Sequence, residues 1–525
     1  MPTLIQNAKV LTFDEKRREL DGADVLVEGR TIKAVGQSVP VPDGPGVRVI
    51  DGRGKLVMPG LVNAHLHSPA NLLKGAMDDA PLEIFMLYEV PPMGDTPESA
   101  RINYLRTQLG AVEMLKLGIT SVHDDAFFNP VPTTETIDAV MAAYRDAGMR
   151  ATVALDQPNV AEYEKFPFLE DLLPDAVKAE MRAAPLQSEP ELMGIYQDFL
   201  SRWHGADDGR LRCSVSCSAP QRVTPSYLQS LTELSRQYDL PFNIHILETR
   251  LQRVLGQEKF GGSLIRYVHE LGALDERKLV IHAIWIDEDD IALLAEAGSC
   301  VAHNPISNLK IGSGVMPFRA LRDAGIPIAI GTDEAAVDDS ANVWSAAKFA
   351  ALVQRGAMAD WTRWPKAPEV LDCVIKSGAR SMRQEDRIGQ ISPGFDADLI
   401  MIDLDTIAFT PLNDMHRQLV YCENGSSVVL TMVAGQIVVE NGQVLTVDEA
   451  ALKAEVRASM DGHAETFARI HAHAERLMPF YRAMTDRAQA TPIGPMVGTP
   501  GSIAGTRDAV ANSQPSTETK GRSDG

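Results

Sequence analysis

Residues 3–57 carry short runs in which apolar and polar positions alternate, the period of a half-buried strand. Residues 23–30 and 31–36 are two such runs, and Glu28-Gly29-Arg30 between them reads as a hairpin turn. Runs of the same kind return at 397–403, 427–433 and 436–442. The two β-rich ends are expected to pair, giving a small β-sandwich domain from residues 1–57 and 386–447 around a central body. Inside that frame the texture changes. Short apolar runs alternate with helical patterns, and strand candidates fall at 61–66, 119–124, 150–155, 212–216, 242–246, 279–283, 300–303 and 328–332. Helical periods lie between them, as at 227–238 and at 287–297, the latter closed by Gly298. Eight strand–helix units predict an α/β chain with a (β/α)8 TIM barrel over residues 58–385, its chemistry gathered at the C-terminal ends of the strands. Residues 448–485 read as helical. From Asp486 to residue 525 the sequence is rich in Thr, Gly, Ser, Pro and Ala without apolar periodicity, and disorder is expected there.

Composition narrows the function classes. At 525 residues the chain is too long for one simple core. A formal charge of −21 argues against nucleic acid, whose phosphates need clustered Lys and Arg. No apolar run is long enough to span a membrane, which takes about 18 residues, and Met1-Pro2-Thr3-Leu4-Ile5 lacks the character of a signal peptide. Five scattered cysteines make no disulfide framework. Cys213 and Cys217, on one expected strand, would stand roughly 13 Å apart, too far to bridge. A cytoplasmic protein is expected.

The candidate chemistry begins at Pro59-Gly60-Leu61-Val62-Asn63-Ala64-His65-Leu66-His67-Ser68. On a strand, His65 and His67 share a face with Cα atoms roughly 6.6 Å apart, within reach of one metal ion. His245 ends the fifth expected strand, His282 the sixth and Asp333 the eighth. Histidines and one carboxylate at the same barrel end suit zinc or ferrous iron and leave a position for water.

These residues, with Gly118-Ile119-Thr120-Ser121-Val122-His123-Asp124, the pair His245-x-x-Glu248, and the stretch from His303-Asn304-Pro305 through Met316-Pro317 to Gly331-Thr332-Asp333, resemble the amidohydrolase superfamily. The likeness, over about residues 3–445, is to its cytosine-deaminase-like branch. That branch includes S-adenosylhomocysteine and methylthioadenosine deaminases, guanine deaminase and the s-triazine hydrolases. The resemblance implies that His65, His67, His245 and Asp333 hold one divalent metal ion, zinc with iron as the alternative. It gives His282 contact with water and substrate, Asp333 the proton of the nucleophile, and Glu248 the proton transfers to ring and leaving group. Binuclear members use a carbamylated lysine on the fourth strand; Leu211-Arg212-Cys213-Ser214-Val215-Ser216-Cys217-Ser218 has none, so a mononuclear site is expected, with Cys217 the lesser option of a thiolate bridge.

For the substrate, Lys74 replaces the branch's arginine, and residues 83–93 depart from the tryptophan-containing pattern of the nucleoside deaminases, pointing away from an adenosine-type molecule. Gln221 and Arg222 match a substrate-holding position. Glu334 stands where most relatives have glycine and would favour an amino or cationic group; His123 and Trp285 are candidate pocket walls. The expected activity is hydrolytic deamination of an amino-substituted nitrogen heterocycle with release of ammonia. Its rivals are loss of chloride or an alkylamine from an s-triazine-like ring, amide hydrolysis, and a catalytically silent scaffold. The expected partners are a small heterocyclic substrate and further copies of the chain, as a homodimer or larger assembly.

Overall fold

A computed structural model describes residues 2–41, 46–78, 80–92, 98–461 and 463–497. The N-terminal strands are β1 (Thr3–Leu11), β2 (Glu19–Glu28), β3 (Thr31–Gly36), β4 (Arg48–Asp51) and β5 (Lys55–Pro59). The central ones are β6 (Leu61–Leu66), β7 (Ile119–Phe127), β8 (Arg150–Asp156), β9 (Leu211–Cys213), β10 (Val215–Ser216), β11 (Phe242–Ile246), β12 (Lys278–His282), β13 (Cys300–His303) and β14 (Ile328–Ile330). Last come β15 (Leu399–Asp403), β16 (Val428–Val433), β17 (Gln436–Glu440) and β18 (Gln443–Val444).

The chain ends meet as the alternating pattern implies. β2 and β3 form the hairpin about Gly29, with Glu28 opposite Thr31. The ends build one hydrogen-bonded nine-stranded sheet in the order β18-β17-β16-β15-β5-β1-β2-β3, with β4 parallel to β1. The reason is a shared neighbour. β5 pairs with β1 on one side and antiparallel with β15 on the other, so backbone bonds run from one end of the chain to the other. Ile5, Val25, Val57, Leu399 and Met432 fill its core.

β6 to β14 are parallel neighbours in chain order, with β9 and β10 as two halves of one strand broken at Ser214. Ser214 bridges the break, its N–H donating to Val153 O at 2.7 Å while Val215 N–H reaches Pro241 O at 3.0 Å. The ring closes where β14 returns to β6. The N–H groups of Thr332 and Asp333 both donate to His65 O, at 3.2 and 3.0 Å. These strands are nearly continuous apolar runs because helices cover them outside and side chains fill the barrel inside. Helix Glu288–Ala297 shows how the ends are set: the Asp287 carboxylate accepts from Asp290 N–H at 2.9 Å, and Gly298 leaves in the left-handed conformation. Barrel and sheet are joined by fully buried Arg150, whose guanidinium takes Asp398 at 2.6 Å and Asp396 at 2.9 Å.

One boundary expected from composition is corrected. The helix His463–Ala490 runs past Asp486, and the chain stays packed to Val497. Ala488 and Met496 are buried, Arg250 donates to the carbonyls of Ala488 and Thr491, and Val497 N–H donates to Ile286 O at 2.9 Å. Isolated apolar residues and backbone acceptors do this packing, and neither leaves a periodic signal. Residues 498–525 of the expected tail lie outside the described residues. No described helix is long and apolar enough to cross a membrane, and all five cysteines are unpaired.

Candidate active site

The C-terminal ends of β6, β11, β12 and β14 place their polar residues in one cluster. His67 Nε2 and His65 Nε2 each lie 3.3 Å from His245 Nε2. Asp333 Oδ1 is 3.6 Å from His65 Nε2 and 3.8 Å from His67 Nε2. Ligand atoms about 2.1 Å from a common centre in tetrahedral array stand about 3.4 Å apart, so this spacing fits a single metal ion. Two of the three outer nitrogens are held by backbone carbonyls. His67 Nδ1 meets Asp125 O at 2.6 Å and His245 Nδ1 meets Ser218 O at 2.7 Å, which fixes the tautomers with Nε2 free for a cation. Burial pushes the His65 pKa down to about 4 and holds His245 well below its usual value, so both stay neutral as ligands must. For Asp333, burial is outweighed by His65, His282 and His67, and its carboxyl is held far below the usual range.

Backbone geometry brings these groups to the point of use. Ser218, Leu247, His282 and Asp333, all at or just past strand ends, have φ of 63°, 55°, 75° and 66°. Side chains seldom adopt this left-handed conformation, and its concentration here is strain stored at a functional site. Gly331 serves a different need: a Cβ there would lie 2.8 Å from His65 Cβ, so β14 can approach β6 only without a side chain.

Beside the cluster, His282 Nε2 is 3.4 Å from Glu248 Oε2 and 3.8 Å from Asp333 Oδ2, while its Nδ1 pairs with Asn308 Oδ1 at 2.9 Å. Glu248 is held by its own N–H donating to Gln252 Oε1 at 2.8 Å, and its Oε1 accepts from Ser313 Oγ at 3.2 Å. Burial, reinforced by the carboxylates of Asp333 and Glu83, raises the Glu248 pKa well above the usual range. It is therefore a protonated acid beside an ionised one, the arrangement that separates acid and base roles. Ser307 Oγ donates to Asp333 Oδ2 at 2.8 Å.

His67, His245, Glu248, His282 and Asp333 line a cavity walled by Phe85, Met86, Phe127 and Phe128 and bounded by Pro158 and Leu186 from the segment after β8. Arg222 and Glu334 line it. The Arg222 guanidinium is fixed by Ser218 Oγ at 3.0 Å and Met86 Sδ at 2.6 Å. Glu334 faces Glu89, and burial together with that neighbouring carboxylate pushes its pKa well up.

Other expectations for the pocket are corrected. Lys74 lies outside the lining, paired with Glu113 on the helix Ala100–Lys116, because the loop after β6 turns its side chain toward that helix. Gln221 is buried beside Arg222 without reaching the cavity. His123 is inside the barrel on Ser214 Oγ at 2.9 Å, and Trp285 donates to Ser313 O at 2.8 Å; neither lines the cavity. Burial raises the Cys217 thiol pKa far above its usual value, so it offers no thiolate. Reading the sequence missed Asp125, buried at the end of β7 with its Oδ2 accepting from Ser216 Oγ at 3.1 Å, and within metal-ligand range of His65, His67 and His245. It also missed Glu89, on the helix Leu82–Glu89. The stretch 303–314, already singled out, contains Ser307, Asn308 and Ser313, and was the signal for those three.

This barrel, with histidines at the ends of β6 and β11 and an aspartate after β14, defines a metal-dependent hydrolase scaffold. The chain belongs to the amidohydrolase family, which it matches over residues 56–438. It is 33% identical over 458 residues to a 5-methylthioadenosine/S-adenosylhomocysteine deaminase from Nitratidesulfovibrio vulgaris, covering 86% of this chain and 96% of that one. A 5'-deoxyadenosine deaminase from Methanosarcina mazei is 29% identical over 469 residues, covering 89% and 99%. Among solved structures, an adenosine deaminase from Xanthomonas campestris with bound zinc superposes with a TM-score of 0.77 at 27% identity, covering 90% of this chain and 98% of that one. The atrazine chlorohydrolase of Arthrobacter aurescens TC1 shares the fold, with a TM-score of 0.75 at 24% identity and coverage of 87% and 99%.

Proposed function

We propose that this protein is a metal-dependent aminohydrolase that adds water to the amidine-like carbon of an amino-substituted nitrogen heterocycle and releases ammonia. The observation that carries this reading is the convergence of Glu248 and Asp333 on His282 Nε2, at 3.4 and 3.8 Å, beside the four-residue ligand cluster. His65, His67, His245 and Asp333 would hold one divalent ion, zinc by its donor set, which lowers the pKa of water toward about 7. Asp333, kept ionised, takes one proton from the attacking water. Glu248, kept protonated, gives its proton to the ring nitrogen next to the attacked carbon. His282, with Nδ1 fixed on Asn308, directs Nε2 at the oxygen being added. The carbon–nitrogen bond breaks as the amine receives the proton held by Asp333, and the hydroxyl proton returns to Glu248. The two protons of water end on the departing ammonia and on the ring.

Glu334 and Glu89 support an amino-bearing edge on the substrate, and Arg222 supports an acceptor at another edge. The names of the similar deaminases support the same leaving group. Unpaired cysteines support a reducing, cytoplasmic location. Exposed Phe349, Leu352 and Trp361 support a homo-oligomer, which light scattering on the purified protein tests. The chemistry is tested on a panel of aminated purines, pyrimidines, pterins and triazines, with ammonia, chloride and alkylamine assayed together. If the best substrate yields chloride or an alkylamine and no ammonia, the deaminase reading fails.

A further inference from the structure

The N-terminal face of the barrel, at the far ends of the strands from the ligand cluster, holds a separate concavity. Its lining includes Arg322, from the helix Phe318–Asp323, and Lys376 and Arg380, from the segment 373–381. Among the described residues none of these three forms an ion pair. The nearby acids are already held: Glu369 takes Arg319 at 2.9 Å and Asp323 takes Arg363 at 2.6 Å. Glu385, exposed on the rim, is the one acid in this lining, against three cations.

An adjoining concavity shares Arg380 and Glu385 with the first and is lined by Lys278, the first residue of β12. Lys278 is 1% exposed, its Nζ has no hydrogen-bond partner, and its closest carboxylate, Asp275, stands 3.6 Å away. Its Nζ also lies over the Phe242 ring, 4.0 Å from the centroid. Burial pushes the Lys278 pKa down to about 8. Arg277 and Arg383 line the same space but are committed to Asp239, at 3.2 and 2.7 Å.

This is an unusual place for cations with so few partners: Arg322, Lys376 and Arg380 have no ion pair among the described residues, and Lys278 has Asp275 at 3.6 Å. The chain has 71 acidic side chains against 50 basic ones, so partners are abundant, and cations left without one repel each other. Glu276 and Glu385 are the acids of the two linings, Glu276 being paired with Arg277, and a cleft in which one sign of charge predominates concentrates counter-ions of the other. Guanidinium groups suit phosphate oxygens through paired N–H donors, and lysine adds a point charge.

We propose that the joined concavities are a binding site for a phosphate group, with Arg380 as the shared contact, Arg322 and Lys376 on one side and Lys278 on the other. The site is separate from the catalytic cavity and does not depend on the deaminase reading. The phosphate is either inorganic or carried by a small organic ester, and the two sources are separable. Full-length, metal-loaded protein is titrated calorimetrically with inorganic phosphate and with ribose 5-phosphate, and melted with each at ionic strength matched by chloride. Both measurements detect binding without reference to turnover. Phosphate should raise Tm above the chloride control, as any ligand of the native state does. Arg380→Gln, an exposed position where folding is not at risk, should weaken binding by about tenfold or more, as loss of a charged hydrogen bond does. Arg322→Gln and Lys376→Gln should each act in the same direction. Tighter binding of ribose 5-phosphate than of inorganic phosphate identifies an ester as the ligand, and equal binding identifies the free ion. A chloride control that matches the phosphate shift, or unchanged affinity in Arg380→Gln, overturns the proposal.

Discussion

His282 and Glu248 face each other with Nε2 and Oε2 3.4 Å apart, each anchored from behind, by Asn308 and by Gln252 and Ser313. Such anchoring lets one carboxyl be replaced without moving its neighbour. Glu248→Gln keeps the shape and loses the transferable proton, so kcat should fall by about 10²–10⁴-fold with metal content unchanged. A loss below about tenfold on that scale would transfer the proton role to His282.

The pH profile carries the same assignment. Glu248 is active as the acid, and burial with Asp333 and Glu83 raises its pKa. Activity that depends on the protonated form is present below the raised pKa and lost above it, giving kcat/KM an alkaline limb. The Ser313 hydroxyl works against the rise by hydrogen-bonding the carboxylate. Ser313→Ala should therefore move that limb to higher pH. A shift to lower pH, measured with both proteins fully metal-loaded, would assign the limb to another group.

His67→Ala removes one of four converging ligand atoms and should abolish metal retention and turnover together. Elemental analysis after dialysis is the check; a full complement of metal would mean that the ligand set is drawn wrongly.

Lys74 and Arg222 separate a surface ion pair from a cavity wall. Lys74→Ala breaks a partly exposed pair with Glu113 and should leave kcat/KM within about threefold, since such pairs are worth little. Arg222→Ala empties a position in the lining and should raise KM by about tenfold or more. Equal effects of the two would return Lys74 to the pocket.

Ending the chain at Thr485 removes buried Ala488 and Met496 and the two carbonyls that receive Arg250. Losing the burial of a methionine alone costs on the order of 2 kcal/mol, so Tm should drop measurably. A Tm equal to that of the full chain would show that this packing contributes nothing.

What the sequence disclosed, and what it withheld, follows from range. Strand periodicity is a property of neighbours, so His65 and His67 could be placed on one face, and each later strand end could be located from its own apolar run. The pocket lining depends on where loops are carried, which neighbours do not encode. Lys74 finds Glu113, 39 positions on, and Glu334 finds Glu89 only because the last strand closes against the first. Ser214 interrupts its strand for a similar reason: its hydroxyl is held by Pro241 O and by His123 across the barrel interior.

The seam of the barrel has a consequence for the metal. His65 and Asp333 are 268 positions apart, yet Asp333 N–H bonds His65 O while their side chains are 3.6 Å apart. The last staves of the hoop meet at two of the groups that would grip the ion. A cation bound there is a clasp as well as a reagent, fastening the first strand to the eighth. Stripping it should loosen the hoop at that seam first, seen as faster amide hydrogen exchange at Thr332 and Asp333 than at the middle of β12.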